Sequence, residues 1–172
     1  AFKAIGAQVS CKDNLFEIEL KQNNGGNVNL TETSVTATEN IIMSQVLGDK
    51  KTVISNAATE PQIKDLINFL NSAGAKITGQ DTRTIEIKPV DNLVGTEYQC
   101  MPDPFETCTF VCLAIVTKSL LKISNCRPID MYPFLDLIKK IGVDFEIGSD
   151  YIQITKINDL HYDINRGNGC FL

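Results

Sequence analysis

The chain has 172 residues, of which 43% are hydrophobic, and a formal net charge of −5. This length suits one domain or two small ones, and the apolar fraction allows a sizeable core. The acidic balance and the lack of a basic run argue against a nucleic-acid surface. The longest strongly apolar run, 110–116, is too short to cross a membrane, and no signal peptide is visible, so we expect a cytoplasmic protein.

Residues 1–20 predict the last turn of a helix followed by two strands, with Gly6 ending the helix in a left-handed conformation. A polar loop follows. Its Gly25-Gly26 pair lacks the lysine and serine of a phosphate-binding loop and the rest of a dinucleotide fingerprint, so it indicates a turn. Residues 28–31 then predict a short strand.

Residues 33–38 are rich in hydroxyl side chains and lead into a predicted helix at 37–47. Such side chains cap the first N–H groups of a helix. They also leave room for the backbone or phosphate of a ligand at the positive end of the helix. The residue types alone leave both roles open. A predicted strand at 51–55 follows.

The helix opened by Glu60 and Pro61 has the clearest pattern in the chain. Its apolar side chains recur at the spacing of one helical face, at Ile63, Leu66, Ile67 and Leu70. Gly74 lies where such a helix should end. Alternating patterns then predict strands at 75–78 and 84–87.

Residues 88–95 link this part to a second run of elements, which begins with a predicted strand at 97–101. Asp103 is placed to cap a helix, and Glu106 gives a capping-box-like pair with it. Because residues 107–116 are apolar nearly all round, we expect their helix to be buried. The remaining predicted elements are a strand at 120–124, a helix at 131–141, strands at 143–147 and 151–155, and an irregular tail at 158–172.

An internal repeat relates these runs. Gly142 lies 68 positions after Gly74, which lies 68 positions after Gly6, and each follows a helical pattern. The pair Ser55-Asn56 recurs 69 positions later as Ser124-Asn125. We therefore predict a mixed α and β fold built from a duplicated unit, with two nearly whole copies and one that lacks its beginning. The predicted divisions are 1–27, 28–94, 95–157 and 158–172.

The six cysteines are Cys11, Cys100, Cys108, Cys112, Cys126 and Cys170. No pair has the C-x-x-C spacing, and the single His161 has no cysteine near it in sequence, so we predict no metal site. Cys108 and Cys112 lie one helical turn apart in an apolar helix, and we expect both to be small buried hydrophobes. Without a secretory signal, reduced thiols are expected.

Several motifs together resemble one family over residues 1–154. They are Ala37-Thr38-Glu39-Asn40-Ile41, Ser55-Asn56-Ala57-Ala58, Glu60-Pro61, Gly74-Ala75-Lys76-Ile77-Thr78-Gly79, and Pro102-Asp103 with Glu106-Thr107. In this run the chain is similar to the UDP-N-acetylglucosamine enolpyruvyl transferases, which are 1-carboxyvinyltransferases of peptidoglycan synthesis. The shikimate-pathway enolpyruvyl transferase shares the fold but fits these motifs less well.

The resemblance implies two globular domains, each of three βαβαββ units, in an inside-out α/β barrel. It implies transfer of the enolpyruvyl group of phosphoenolpyruvate to the 3-hydroxyl of UDP-N-acetylglucosamine in the cleft between the domains, with no cofactor. This chain would be a central fragment. The family's reactive cysteine loop would precede it and the catalytic aspartate would fall just past Leu172, so we expect no catalytic residue within it and no activity by itself.

The resemblance also implies substrate-binding residues. The uridine-diphosphate segment corresponds to Glu32, Thr33, Ser34 and Val35, and we expect contact through the backbone N–H groups of Ser34 and Val35. Glu60 and Asp103 are further candidates for the cleft, although helix capping explains both equally well.

This sequence departs from the family pattern at four positions. The pattern has lysine at position 32, glycine at 36, and arginine at 59 and 104, where this chain has Glu32, Thr36, Thr59 and Pro104. Loss of three cations weakens the hold on phosphate and carboxylate groups. An alternative function is therefore a diverged, non-catalytic homologue that acts as a binding or assembly module. Exposed faces of the units would also allow a homo-oligomer.

Overall fold

The computed structural model describes residues 1–160, in which the chain forms two compact units, Ala1–Met101 and a second one that begins at Pro102. The predicted tail lies mostly outside the described residues, as do His161 and Cys170. The fold is a mixed α and β one, as predicted. No helix in the described part combines the length and apolar character needed to cross a bilayer.

The first unit begins with a 3-10 helix, Phe2–Ile5, that ends at Gly6 with φ of +100°. A hairpin of β1 (Gln8–Lys12) and β2 (Leu15–Glu19) follows. Its two turn residues, Asp13 and Asn14, both have positive φ, which matches the right-handed twist of a two-residue hairpin. The prediction of a helical end and two strands is confirmed.

A four-stranded sheet follows in the same unit. Its elements in chain order are β3 (Gly26–Asn29), α1 (Val35–Gln45), β4 (Thr52–Ser55), α2 (Pro61–Ser72), β5 (Lys76–Thr78) and β6 (Thr84–Lys88). The strands lie in the order β3-β4-β6-β5, with β3 and β4 parallel and the other pairs antiparallel. The predicted apolar face of α2 packs into the core of this unit, where Ile63 and Ile67 are fully buried beside Ile54 and Ile85.

Asn71 joins the end of α2 to β5. Its Nδ2 donates to the carbonyl oxygen of Ile77 at 2.8 Å, and the Ile77 N–H donates to its Oδ1 at 2.9 Å. The side-chain amide thus bonds Ile77 as a neighbouring strand would. Between helix and strand, Gly74 has φ of +100°, which a residue with a side chain rarely adopts.

The second unit repeats most of this order. Its elements are α3 (Pro104–Thr117), β7 (Lys122–Ser124), a 3-10 helix (Pro128–Met131), α4 (Tyr132–Lys140), β8 (Val143–Ile147) and β9 (Tyr151–Ile157). The strand order β7-β9-β8 corresponds to β4-β6-β5. Gly142 has φ of +108°, close to Gly6 and Gly74, so the three glycines share one backbone role.

Asn56 and Asn125 support the same repeat. Each follows the last residue of a strand, β4 or β7, and has positive φ, 58° and 56° respectively. The next residue of each copy donates its N–H to a carbonyl just before the partner strand, that of Arg83 for Ala57 and that of Asp150 for Cys126. The division of the chain into copies at 28–94 and 95–157 stays a proposal.

The predicted strand at 97–101 is wrong. This segment is irregular and binds α2 instead: Tyr98 donates its hydroxyl to Asp65, and the ring of Tyr98 meets that of Phe69 edge to face at 5.5 Å. Val94 donates its N–H to the carbonyl of Ala73 at 2.9 Å. The segment thus packs against α2 and pairs with no strand, and the second unit has no counterpart of β3 in the described residues.

The predicted burial of α3 is also wrong. One stripe of this helix, Val111, Ala114 and Ile115, packs into the core of the second unit. The opposite side is exposed, with Phe105 at 58% and Val116 at 82% accessibility. Within the described part of this unit only one layer of elements covers the helix. Cys112 is therefore exposed and Cys108 only half-buried, contrary to prediction, whereas Cys126 is buried.

Candidate functional site

The predicted nucleotide segment lies at the carboxyl ends of two parallel strands. β3 ends at Asn29 and leads to α1 through residues 30–34, and β4 ends at Ser55 and leads to α2 through 56–60. Parallel strands end at the same edge of a sheet, and the helices that follow them begin there, which is where ligands of α/β folds commonly bind. The topology thus brings Glu32, Thr33, Ser34, Val35 and Glu60 to one edge of the first unit.

Ser34 caps α1. It has extended backbone angles, and its Oγ accepts a hydrogen bond from the N–H of Ala37 at 3.2 Å. Val35 is the first residue of the helix, which begins two residues earlier than predicted. The first N–H groups of a helix have no partner within it, so those after Ser34 can face a ligand.

A buried threonine fixes this end of the helix to the neighbouring strand connection. The Oγ1 of Thr38 donates to the carbonyl of Ser34 at 2.7 Å and accepts from the N–H of Ala58 at 3.0 Å. Thr38 is fully buried. The start of α1 and the segment after β4 are therefore held in one arrangement.

Thr33 belongs to a hydrogen-bonded triad with Asn56 and Arg83, neither of which was predicted as a site residue. Its Oγ1 donates to Oδ1 of Asn56 at 3.2 Å. Nη1 of Arg83 donates to Oγ1 of Thr33 at 2.8 Å and to Oδ1 of Asn56 at 3.1 Å. Asn56 also donates its Nδ2 to the carbonyl of Leu30 at 3.1 Å. The recurrence of the Ser-Asn pair was a signal for Asn56, but no pattern pointed to Arg83.

The two acidic residues of this edge differ in their surroundings. Glu32 is exposed and forms no ion pair within residues 1–160. Glu60 is half-buried at the N-terminus of α2 and makes no side-chain capping bond there. Its Oε2 is buried without a hydrogen-bond partner, as is Oε1 of Gln62. Both atoms are acceptors, so a group that donates hydrogen bonds would satisfy them.

Asp103 lies in the second unit, where it caps α3. Its Oδ1 accepts from the N–H of Phe105 at 2.7 Å, which confirms the predicted cap. The reciprocal bond from Glu106 that completes a capping box is absent from the described hydrogen bonds. Both carboxylates border an open pocket of about 190 Å³, together with Pro102, Thr107, Phe110, Ile123, Ser124 and Asn125.

This pocket is the repeat counterpart of the edge in the first unit. Asp103 follows Ser34 by 69 positions, the same offset that relates Ser124-Asn125 to Ser55-Asn56. Each unit therefore has a capped helix that is followed in the chain by a strand ending in serine, and an asparagine with positive φ comes directly after that serine. The structure gives the two sites separately, one in each unit.

Two of the cysteines of the second unit, Cys108 and Cys126, lie in surroundings that disfavour the thiolate. Burial raises the pKa of Cys108, with a smaller contribution from Cys112, and burial also raises the pKa of Cys126. A raised pKa keeps a thiol protonated and unreactive at neutral pH. These two thiols are therefore poor candidates for nucleophiles.

Comparisons with known proteins agree with this architecture. The sequence matches the family profile described as EPSP synthase (3-phosphoshikimate 1-carboxyvinyltransferase) over residues 1–165. The structure resembles the enolpyruvyl transferase NikO from Streptomyces tendae with a TM-score of 0.77 and 16% identity, covering 89% of this chain and 40% of that one. It resembles EPSP synthase from Acinetobacter baumannii with a TM-score of 0.57 and 17% identity, covering 92% and 38%. The chain therefore belongs to the EPSP synthase family of enolpyruvyl transferases.

Its sequence relatives narrow this class. The chain is 41% identical over 150 residues to UDP-N-acetylglucosamine 1-carboxyvinyltransferase 1 of Staphylococcus haemolyticus, covering 87% of this chain and 36% of that protein. It is 44% identical over 131 residues to UDP-N-acetylglucosamine 1-carboxyvinyltransferase 2 of Caldanaerobacter subterraneus, covering 76% and 31%. The predicted resemblance to the UDP-N-acetylglucosamine enolpyruvyl transferases is confirmed, and the chain spans about a third of the length of these relatives.

Proposed function

We propose that the chain is part of an enolpyruvyl transferase that moves the enolpyruvyl group of phosphoenolpyruvate to UDP-N-acetylglucosamine, for peptidoglycan precursor synthesis in the cytoplasm. The observation that carries the proposal is the 41% identity over 150 residues to a UDP-N-acetylglucosamine 1-carboxyvinyltransferase. The EPSP synthase structures, by contrast, share the fold at 17% identity or less.

Different residues of the first unit suit different parts of the nucleotide sugar. The N–H groups at the start of α1, after Ser34, suit the diphosphate because they are donors at the positive end of a helix. The carboxylate of Glu60 is an acceptor and suits hydroxyl or amide groups of a sugar. Asp103 offers the same chemistry in the second unit. Glu32 opposes an anion, at a cost of on the order of 1–4 kcal/mol near a surface.

By itself the chain is expected to bind substrate but not to turn it over. The chain covers about a third of the length of its relatives. The resemblance assigns the reactive cysteine and the catalytic aspartate to segments outside the chain. We also propose that the exposed apolar side of α3, with Phe105, Phe110, Leu113 and Val116, allows association with a second copy of the chain.

Calorimetric titration of the chain with UDP-N-acetylglucosamine and, separately, with 3-phosphoshikimate tests the proposal. We expect binding heat with the nucleotide sugar and none with the shikimate compound. The reverse result would assign the chain to the other branch of the family. Absence of binding heat with both compounds would favour the alternative of a non-catalytic homologue. Turnover by the chain alone would contradict the proposal that it is only part of the enzyme.

A further inference from the structure

We propose that Arg83 contacts the diphosphate of a nucleotide bound at residues 32–35 and supplies the positive charge that the family pattern carries as a lysine at position 32. This inference rests on the proposed function, because it assumes that the segment binds a nucleotide. It adds a specificity-determining residue that lies outside every motif of the resemblance.

The first reason is the position of the guanidinium. Nη1 of Arg83 lies 2.8 Å from Oγ1 of Thr33, the residue directly before the cap of α1. It lies 3.1 Å from Oδ1 of Asn56, which follows β4. A guanidinium has five N–H donors on three nitrogens, and these contacts use one nitrogen. Nε and Nη2 keep their donors for a bidentate contact with a phosphate.

The second reason is the charge balance of the contacts. Thr33 and Asn56 are neutral, and Arg83 has no carboxylate oxygen within 4.0 Å in the described part of the chain. Arg127, the other described arginine, is paired with Asp130 at 3.2 Å. An arginine that neutral groups orient, without a bound carboxylate, keeps its full charge for an anion.

The third reason is the substitution beside it. Glu32 brings a negative charge to the segment where the resembling enzymes have lysine, so the edge lacks the expected cation. Arg83 restores a positive charge one residue from it, at the hydroxyl of Thr33. The two observations belong to the same site, and the arginine offsets the glutamate.

A purely structural role for Arg83 is the competing explanation, since the guanidinium also ties Thr33 to Asn56. Such a brace would change the stability of the fold and would affect charged and uncharged ligands alike. A phosphate contact would affect phosphate-bearing ligands alone, and increasingly so as the salt concentration falls.

The test titrates the chain with UDP and with uridine, which lacks the phosphates, and compares Arg83→Gln with the control Arg127→Gln. Glutamine removes the charge, and because its side chain is shorter than that of arginine it also gives up the Nη1 contacts with Thr33 and Asn56. We expect Arg83→Gln to weaken UDP binding by about tenfold or more while uridine affinity stays unchanged, whereas loss of a structural brace alone would weaken the binding of both. Arg127→Gln removes the same charge elsewhere and should leave UDP binding as it is.

Two further variants complete the test. Glu32→Lys should strengthen UDP binding and should restore it in the Arg83→Gln background. If Arg83→Gln fails to fold, Arg83→Met removes the charge in its place and should likewise weaken the binding of UDP alone, whereas Arg83→Lys, which keeps the charge without the planar fork, should weaken it less. Equal UDP affinity of the original chain and of a folded variant that lacks the charge would overturn the inference while leaving the proposed function intact. Absence of UDP binding by the original chain and by Glu32→Lys would remove the proposed function, and the inference with it.

Discussion

The hydroxyl of Tyr98 donates a hydrogen bond of 2.8 Å to Oδ1 of Asp65, and the other carboxylate oxygen accepts the N–H of Met101 at 3.3 Å. One side chain of α2 thereby fastens the end of the irregular segment 89–101 to the first unit. The segment belongs to that unit although it contains neither helix nor strand, and the unit boundary falls directly after it.

Removal of the Tyr98 hydroxyl should loosen this segment. Tyr98→Phe loses a hydrogen bond to a carboxylate, and we expect a loss of about 1–2 kcal/mol in the free energy of unfolding. A glutamate-specific protease should then cut after the exposed Glu97 faster than in the original chain. Thr96→Val, which removes exposed contacts with the hydroxyl of Ser72 and the carbonyl of Glu97 but leaves the Asp65 contacts intact, is the control. Unchanged cleavage in Tyr98→Phe would show that the ring contact with Phe69 suffices.

Alkaline pH should weaken the same contact. Burial, followed by the hydrogen bond to Asp65, raises the pKa of Tyr98 above its usual 10.0. The folded chain then retains a proton that the unfolded chain loses, so this contribution to stability is complete below pH 10.0 and falls as the pH rises through the raised pKa. Tyrosinate absorbance of the original chain, minus that of Tyr98→Phe, isolates the group. A midpoint at or below 10.0 would contradict the expectation.

Thiol reactivity should follow the burial pattern of the cysteines. Cys112 and Cys11 are exposed, whereas burial raises the pKa of Cys126 and Cys108. Brief alkylation at neutral pH, read by mass spectrometry of the peptides, should modify the exposed Cys11, Cys100 and Cys112 first and Cys126 last. Full unfolding in denaturant before alkylation is the control that should remove the difference. Equal rates at Cys112 and Cys126 in the folded chain would place α3 in a different environment.

The side chain of Asn71 should contribute more to the stability of the fold than that of an ordinary surface residue. Asn71→Ala leaves both main-chain groups of Ile77 without their partner, and we expect a loss of about 1–3 kcal/mol in the free energy of unfolding by urea. Asn71→Asp keeps an acceptor for the N–H and should lose less. Ser72→Ala, the next residue of the helix, should stay within about 0.5 kcal/mol of the original chain. A loss in Ser72→Ala as large as in Asn71→Ala would refute the special role of the amide.

Two glycines allow a sharper comparison of strain and collision. Gly79 has φ of +92°, and a Cβ there would overlap the carbonyl oxygen of Thr84; Gly74 has φ of +100°, and a Cβ there would meet open space. Gly74→Ala should cost about 1–2 kcal/mol from the backbone conformation. Gly79→Ala should cost about 3 kcal/mol or more, because the turn must also move. Urea unfolding of both variants decides the matter, and equal losses would mean that the turn before β6 adapts freely.

Sequence patterns predict the fold well where they are local and periodic. The face of α2 and the stop at Gly74 follow from spacing and from the conformational freedom of glycine, and both are confirmed. The helix α3 has apolar residues all round, so it contains no periodicity to tell which side is covered, and its predicted burial is wrong. Instead of the strand predicted at 97–101, the segment packs against α2, where Asp65, more than thirty residues earlier, bonds the hydroxyl of Tyr98 and the N–H of Met101. No pattern near residue 98 indicates that contact.

In the candidate site, too, local features could be predicted from the sequence and long-range contacts could not. Capping by Ser34 and Asp103 depends on neighbouring residues and could be predicted. The contacts of Arg83 with Thr33 and Asn56 join residues that are 50 and 27 positions apart. They exist because β4 and β6 pair and because Asn56 adopts a left-handed conformation, and neither fact can be deduced from the residues near Arg83.

The amide of Asn71 also has a consequence beyond the single molecule. β5 is the outermost strand on its side of the sheet, and a bare outer strand is a template for the backbone of another chain. With both main-chain groups of Ile77 occupied, an approaching polypeptide finds no ladder to extend at that point. We therefore expect the chain to resist fibril-like growth along this edge of the sheet, even in concentrated solution.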